Sequence, residues 1–479
     1  MNGCDRLIYK DLVKNIDTDL NLDKKFNLYS YFDDNDIHKN YGLGLIDADF
    51  LLTGYKLDKY DDSDKLINII KKNNIDSVLE CFIKINDYFK KNHHILIYSV
   101  DNFSSKFDKM KFDFDSKYIY KLSRYLITRS DNVESIKFGI LLLSNLILNE
   151  EDNKMIINLS LCDEFTFYCV YYCIHNMSDK NDLCLLLLTK IFGIGKVFVL
   201  DEIDNIDKKL EEWLLTDGIL NCTMPKYFGI ALYERIDFRK ILEEDMSDTK
   251  FKGISLIFNH LIANVKKQEE SIDNNIMLFL NQFNSHKDIS MSYITLANIY
   301  LYSNNKKLKS IVKDIVSRKD FVKKKIKETE EISDLLNIIY LIDIFKIDVN
   351  RNLYHKFIIN PYKYTLLMDI LINTKYRVKC INLLDESFKD ENDENYISNL
   401  YNVLELLSDY PYLNNNFIIR GLTCNDEDII NKSIEVLYEW NRNSDDEIKD
   451  TEIYPVLLEI RKKDVSKKII DSINNLIGD

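Results

Sequence analysis

The sequence predicts an all-α chain: a right-handed α-solenoid of stacked helical repeats. Three observations lead there. Only 12 glycines and 4 prolines occur in 479 residues, whereas sheet-rich folds need many tight turns built from them. The length exceeds the ~250–300 residues at which one hydrophobic core stops growing, so the chain is several domains or a repeat array. One helical pattern is also written three times.

The clearest copy is residues 290–312, SMSYITLANIYLYSNNKKLKSIV. Tyr293, Ile294, Leu296, Ala297, Ile299, Tyr300 and Leu301 leave no polar face, so this helix is expected to be buried on most sides. Asn298 interrupts it. A buried amide left unpaired costs ~1–3 kcal/mol, so Asn298 is expected to hydrogen-bond something fixed. Ser303, Asn304 and Asn305 then break the helix, and Lys306 starts an amphipathic one. In residues 137–149, Gly139 precedes Asn145 by six, with Leu142 and Leu143 between; in 251–264, Gly253 precedes Asn259 by six, with Leu256 and Ile257 between. Ser292 holds the small-residue place before Asn298. The small residue admits a neighbouring helix, and the Asn either pins adjacent repeats or faces a groove. Lys190 and then Arg235 extend the register from Asn145 in successive steps of 45, and Asn298 follows Asn259 by 39. The armadillo/HEAT period is ~40–47 residues, and this is how the third armadillo helix is written. The gap of 24 between 235 and 259 does not fit, so position 235 is expected to belong to another helix type.

Taken in order, residues 1–115 are the least regular part and are expected to form an irregular helical N-terminal region. Acid-rich breaks lie at 33–36 and 58–64. The segment 41–55 holds three glycines and is expected to include a tight turn. Helices are expected at 65–72 and 76–91, and no tetratricopeptide pattern is visible. From 116 to 479 the repeat array is expected. Residues 117–128 read as a helix. Asp131 followed by Glu134 resembles a capping box opening the helix towards Asn145. The aromatic run 165–177 reads as a buried helix. Residues 183–200 read as a buried helix pair and not a membrane span, because Lys190 and Lys196 interrupt them. Further helices are expected at 332–345, 363–373, 396–408, 428–440 and 454–477, with a solvated loop at 389–395.

The formal net charge is −14 and the pI about 5.2, which argues against a general nucleic-acid binder. Nine scattered cysteines read as reduced, buried thiols of a cytosolic or nuclear protein, and a cytoplasmic location is expected. Heavy use of Asn, Ile, Lys, Asp and Tyr looks like AT-rich coding, which weakens arguments from any single Asn or Lys. Gly193, Gly195 and Lys196 lack the spacing and the Ser/Thr of a phosphate loop. Cys169, Cys173 and His175 lack a second ligand pair and read as buried thiols beside a solvent-edge histidine. His93 and His94 read as surface residues. No catalytic motif, cofactor site or metal site is expected, and the chain reads as non-enzymatic.

One charge feature stands out. Lys306, Lys307, Lys309, Lys313, Arg318, Lys319, Lys323, Lys324, Lys325 and Lys327 face only Asp314 and Asp320, a local net of +8 (10 − 2). It reads either as the solvated face of two helices or as a patch for an acidic partner, with steep salt dependence in the second case.

Residues 293–312 (YITLANIYLYSNNKKLKSIV) and 251–270 (FKGISLIFNHLIANVKKQEE) occur in the order of two helices of UCS-domain myosin chaperones, and the chain resembles that family over residues 137–345. The resemblance implies an armadillo solenoid whose groove holds a myosin motor domain during folding, with a heat-shock chaperone as further partner. The UCS-like part is placed at roughly residues 250–479, and the family's groove-facing Asn falls on Asn298. Two departures stand out: no tetratricopeptide domain is visible, and Thr295 and Tyr302 depart from the pattern. Stacked repeats expose an extended surface suited to protein binding. The expected function is therefore a myosin-folding chaperone or, alternatively, a scaffold or transport adaptor for acidic segments, with no membrane partner.

Overall fold

The structure, a computed structural model, describes residues 7–32, 36–53, 61–264, 270–317, 321–444, 448–463 and 465–478. These form α-helices linked by short 3-10 and π turns, without a strand among the described residues. An isolated antiparallel bridge joins Ile16 and Leu22. The chain divides into two compact units, Met1–Ser292 and Tyr293–Asp479. The change of texture at residue 115 does not coincide with that division. Within the first unit the helix Ile8–Lys14 lies against Ser116–Arg129, and the Ile8 amide donates to the Ser130 carbonyl at 3.3 Å.

At the centre of the first unit, every residue of the helix Val133–Leu143 is buried. It packs on Ser116–Arg129, and Gly139 makes the approach possible: a Cβ there would lie 2.9 Å from both Ile127 Cγ1 and Leu126 Cβ. The same holds for Gly253 on the helix Asp248–Asn264, where a Cβ would run into the Leu215 carbonyl oxygen. The aromatic run is helical, as the sequence predicts, and buried through Val170, with Cys173 and Ile174 also buried but Tyr171 and His175 exposed. It comprises an α-helix Asp163–Tyr168, a π turn Cys169–Cys173 and a 3-10 turn Ile174–Asn176. Residues 183–200 resolve into the pair Lys180–Lys190 and Gly195–Asp201. Among the described residues, no helix is long and apolar enough to cross a membrane.

Helices in each unit contact the next-but-one helix along the chain. In the first unit Pro225–Arg235 packs on Asp248–Asn264, and Phe238–Glu243 on Glu270–Gln282. In the second unit Tyr396–Leu407 packs on Glu427–Asn443, Asn415–Thr423 on Ile453–Ile460, and Glu427–Asn443 on Lys467–Ile477. That order follows from amphipathic helices too short to bury their apolar faces alone. Trp440 closes one such layer, fully buried with its indole N–H donating to the Leu407 carbonyl at 2.6 Å.

Candidate functional site

The three asparagines of the repeated pattern have different environments. Asn298 is 7% exposed on the helix Met291–Tyr302 and accepts a hydrogen bond at 3.2 Å from the phenol of Tyr340, on the helix Ile332–Phe345. It faces a packed neighbour, so its amide ties two helices together. Asn259 is half-buried within Asp248–Asn264. Asn145 departs from the expectation. The helix ends at Leu143, Asn145 is exposed beyond it, and its amide donates to the Leu141 carbonyl at 2.9 Å. It satisfies the last turn of its own helix and pins no neighbour. Arg235 is a pin of another kind: its guanidinium donates to the carbonyls of Leu200, Asp201 and Ile203, at the end of the helix Gly195–Asp201.

The basic run occupies two amphipathic helices of the second unit. Lys306–Val316 buries Leu308, Val312, Ile315 and Val316, and Phe321–Glu328 buries Val322 and Ile326. Asn305 caps the first by accepting from the amides of Lys307 and Leu308. Lys306, Lys307, Lys313, Lys323 and Lys327 are exposed and make no ion pair within the described residues. Lys309 is half-buried, with its ammonium 3.4 Å from the Leu301 carbonyl oxygen. Lys324 and Lys325 reach Glu328 at 3.5 and 3.4 Å. Arg318 and Lys319 lie outside the described residues.

A second cluster, in the first unit, was missed in the sequence reading. The Lys137 ammonium is fully buried and lies 2.6 Å from Glu164 Oε1, 2.8 Å from Asp47 Oδ2 and 2.9 Å from Glu134 Oε1. His38, 5% exposed, places Nε2 at 3.1 Å from Glu134 Oε1 and 3.5 Å from Glu164 Oε1, while Nδ1 meets Asp36 Oδ1 at 2.7 Å. The other carboxylate oxygens are taken: Glu164 Oε2 accepts the Gly44 N–H at 2.7 Å, and Glu134 Oε2 accepts the Leu96 N–H. Gly44 is required there, with φ +74° and the Asp163 carbonyl oxygen 2.6 Å from where a Cβ would sit. This is the turn expected in 41–55.

The electrostatics follow from burial. Desolvation alone would lower the His38 pKa, but Asp36 and Glu134 outweigh it and raise the imidazole to about 10. Burial pushes the Asp47 carboxyl up to about 7, with Lys137 opposing and Glu134 and Glu164 adding to the rise. Glu134 is held well below the usual range because Lys137 and His38 outweigh its desolvation. A cavity of about 200 Å³ opens beside His38 and Glu134, lined also by Tyr31, Asp36, His94 and Asp131.

Several local expectations change here. Glu134 turns inward instead of closing a capping box with Asp131; the N-cap is Asn132, which accepts the Ser135 amide. A capping box exists one helix later, between Asn149 and Asp152. His94 is not a surface residue: it is 7% exposed with Nε2 at 2.9 Å from Ser99 Oγ, while its neighbour His93 is exposed at a left-handed helix end. Cys169 and Cys173 are buried, and His175 is exposed with Nδ1 at 2.6 Å from Glu202 Oε2, as expected. At Gly193–Lys196 an acid stands where a phosphate would go. Asp163 Oδ1 accepts the Gly195 amide at 2.7 Å, and buried Lys196 donates to the Gly218 carbonyl at 2.9 Å. The eight cysteines within the described residues are free thiols, seven of them buried.

Glu134 and Lys137 did leave a sequence signal. A Glu–Lys pair three apart inside VESIKFGILLL is out of place in an otherwise apolar run, as is Asp47 in LIDADFLL. Comparison with protein-family models, curated proteins and solved structures finds no match for the chain.

Proposed function

We propose that the chain is a non-enzymatic protein-binding scaffold whose helices stack as an armadillo/HEAT-like solenoid, and that it captures an acidic partner segment on the helices Lys306–Val316 and Phe321–Glu328. The observation that carries this reading is the set of exposed lysines without ion partners among the described residues, Lys306, Lys307, Lys313, Lys323 and Lys327. Elsewhere in the chain many surface lysines are matched by a carboxylate, as with Lys84 and Glu80, Lys91 and Asp87, or Lys346 and Asp343. Unmatched like charges repel one another, and an acidic segment relieves that repulsion while gaining electrostatic steering. The next-but-one helix packing supports the stacked arrangement. The proposed setting is cytoplasmic.

The test is capture of a fluorescent poly-glutamate peptide by the full chain. Replacing Lys306, Lys307, Lys313, Lys323 and Lys327 by Glu is expected to reduce affinity at least about tenfold at physiological salt, since each close charge contributes on the order of a few tenths of a kcal/mol. Unchanged capture would reduce the patch to a solvated face. The narrower reading, with a myosin motor domain as client and a heat-shock chaperone as co-partner, rests on the motifs at 251–270 and 293–312. It predicts that near-stoichiometric protein protects a motor domain from heat aggregation, and absence of protection removes it.

A further inference from the structure

Tyr302 is an aromatic residue where the repeated pattern calls for a polar break, and the fold does not bury it. It is 53% exposed on the last turn of Met291–Tyr302, next to Leu301, which is 39% exposed. Single exposed apolar side chains are ordinary on a protein surface. Adjacent ones rimmed by charged groups mark contact surfaces.

Three contacts fix what surrounds the pair. One turn earlier, Asn298 accepts from the Tyr340 phenol at 3.2 Å, and the rings of Tyr300 and Phe345 have centroids 4.5 Å apart, so Met291–Tyr302 and Ile332–Phe345 run side by side in the same direction. Burial, and next the neighbouring Tyr302 phenol, raise the pKa of Tyr340, which places the Tyr302 ring at that seam. The Lys309 ammonium joins the same helix end, 3.4 Å from the Leu301 carbonyl oxygen and 5.8 Å from the centre of the Tyr300 ring. From there the charge continues along the next helix. Lys306, Lys309 and Lys313 are three and four residues apart, the spacing of one helix face.

We infer that the partner segment is amphipathic: its carboxylates lie along Lys306, Lys309 and Lys313 while an aromatic or large aliphatic anchor covers Leu301 and Tyr302. This rests on the acidic-segment reading above and adds a source of affinity that salt does not screen. Charge selects this occupant. A neutral apolar partner would leave the lysines uncompensated, and a purely acidic one would leave Leu301 and Tyr302 in water. Two copies of the chain meeting patch to patch would oppose +8 with +8 over residues 306–327. Buried anchors carry most of the energy of such contacts, while the charged rim governs encounter rate and salt dependence.

The experiment compares two fluorescent glutamate-rich peptides of equal length and net charge, binding to the full chain. One carries two alanines four residues apart and the other two phenylalanines at the same places. The phenylalanine peptide is expected to bind about tenfold tighter, the worth of one large apolar side chain removed from water. That ratio is expected to hold as salt rises, because apolar burial is unscreened. In the double variant Leu301→Ser, Tyr302→Ser the advantage is expected to vanish while the alanine peptide binds as before, which also shows the fold intact. Equal affinity of the two peptides for the wild type would overturn the anchor and leave the acidic-segment reading standing. Capture of neither would remove both. An advantage that survives in the double variant, or collapses with salt, would overturn the anchor as well. Self-association of the wild type that the double variant abolishes would give the pair to a second copy and overturn it too.

Discussion

Lys137 occupies a position where a fully buried helix would ordinarily place an apolar side chain, and its surroundings explain why it is tolerated. A lone buried ammonium is prohibitively costly, whereas one held by three carboxylates is compensated. The converse is the prediction. Lys137→Met conserves volume but leaves Asp47, Glu134 and Glu164 facing one another without a cation beyond His38, so it is expected to cost about 3–5 kcal/mol in chemical denaturation. The sign of its pH dependence follows. Without Lys137 the Asp47 carboxyl, already raised by burial, loses the cation that opposes the rise, and Glu134 loses the main cation that holds it down. Protonation then favours the folded form, and the loss is expected to shrink as pH falls from 7 towards 5. A variant as stable as the wild type, with an unchanged pH profile, would show that the network contributes nothing. The cluster was hard to read in the sequence because its members lie far apart: His38 and Asp47 come from the irregular N-terminal part, Glu134 and Lys137 from one helix and Glu164 from another. Glu134 and Lys137 were visible as anomalies, but nothing in the sequence tied them to a histidine almost a hundred residues away.

At the level of elements, the repeated pattern contained two signals of unequal worth. The small residue was the sounder one, because it reports a steric requirement that only backbone proximity creates, and both Gly139 and Gly253 meet it. The asparagine was weaker, since an amide satisfies its own helix end as readily as a neighbour; Asn145 does the first and Asn298 reaches the second. The link between Met291–Tyr302 and Ile332–Phe345 is measurable. Asn298→Ala and Tyr340→Phe each remove one end of a single bond, so each is expected to cost about 1 kcal/mol, with a coupling of about 0.5–1.5 kcal/mol in the double-mutant cycle. Strict additivity, within about 0.3 kcal/mol, would show that the 3.2 Å contact carries no energy.

For the whole molecule, the all-helical class was legible because scarce glycine and proline are a property of composition and need no knowledge of tertiary contacts. The division into units was not legible, because it depends on which helices touch: the first 115 residues read as irregular, yet their side chains complete the buried network of the first unit. Charge also behaves differently at this scale than at the patch. The chain carries −14 overall, while residues 306–327 carry +8. Near 0.01 M salt the screening length is ~30 Å, so an acidic partner feels much of the net negative charge along with the lysines. Near 0.15 M it is ~8 Å, and a segment lying on the two helices feels chiefly the lysines. At higher salt the lysines are screened too. Capture of a poly-glutamate peptide is therefore expected to rise from very low ionic strength, pass through a maximum, and then fall. A steady decline from the lowest salt upward would mean that the long-range negative field does not oppose the encounter. Capture insensitive to salt throughout would remove the electrostatic reading of Lys306–Val316 and Phe321–Glu328 altogether.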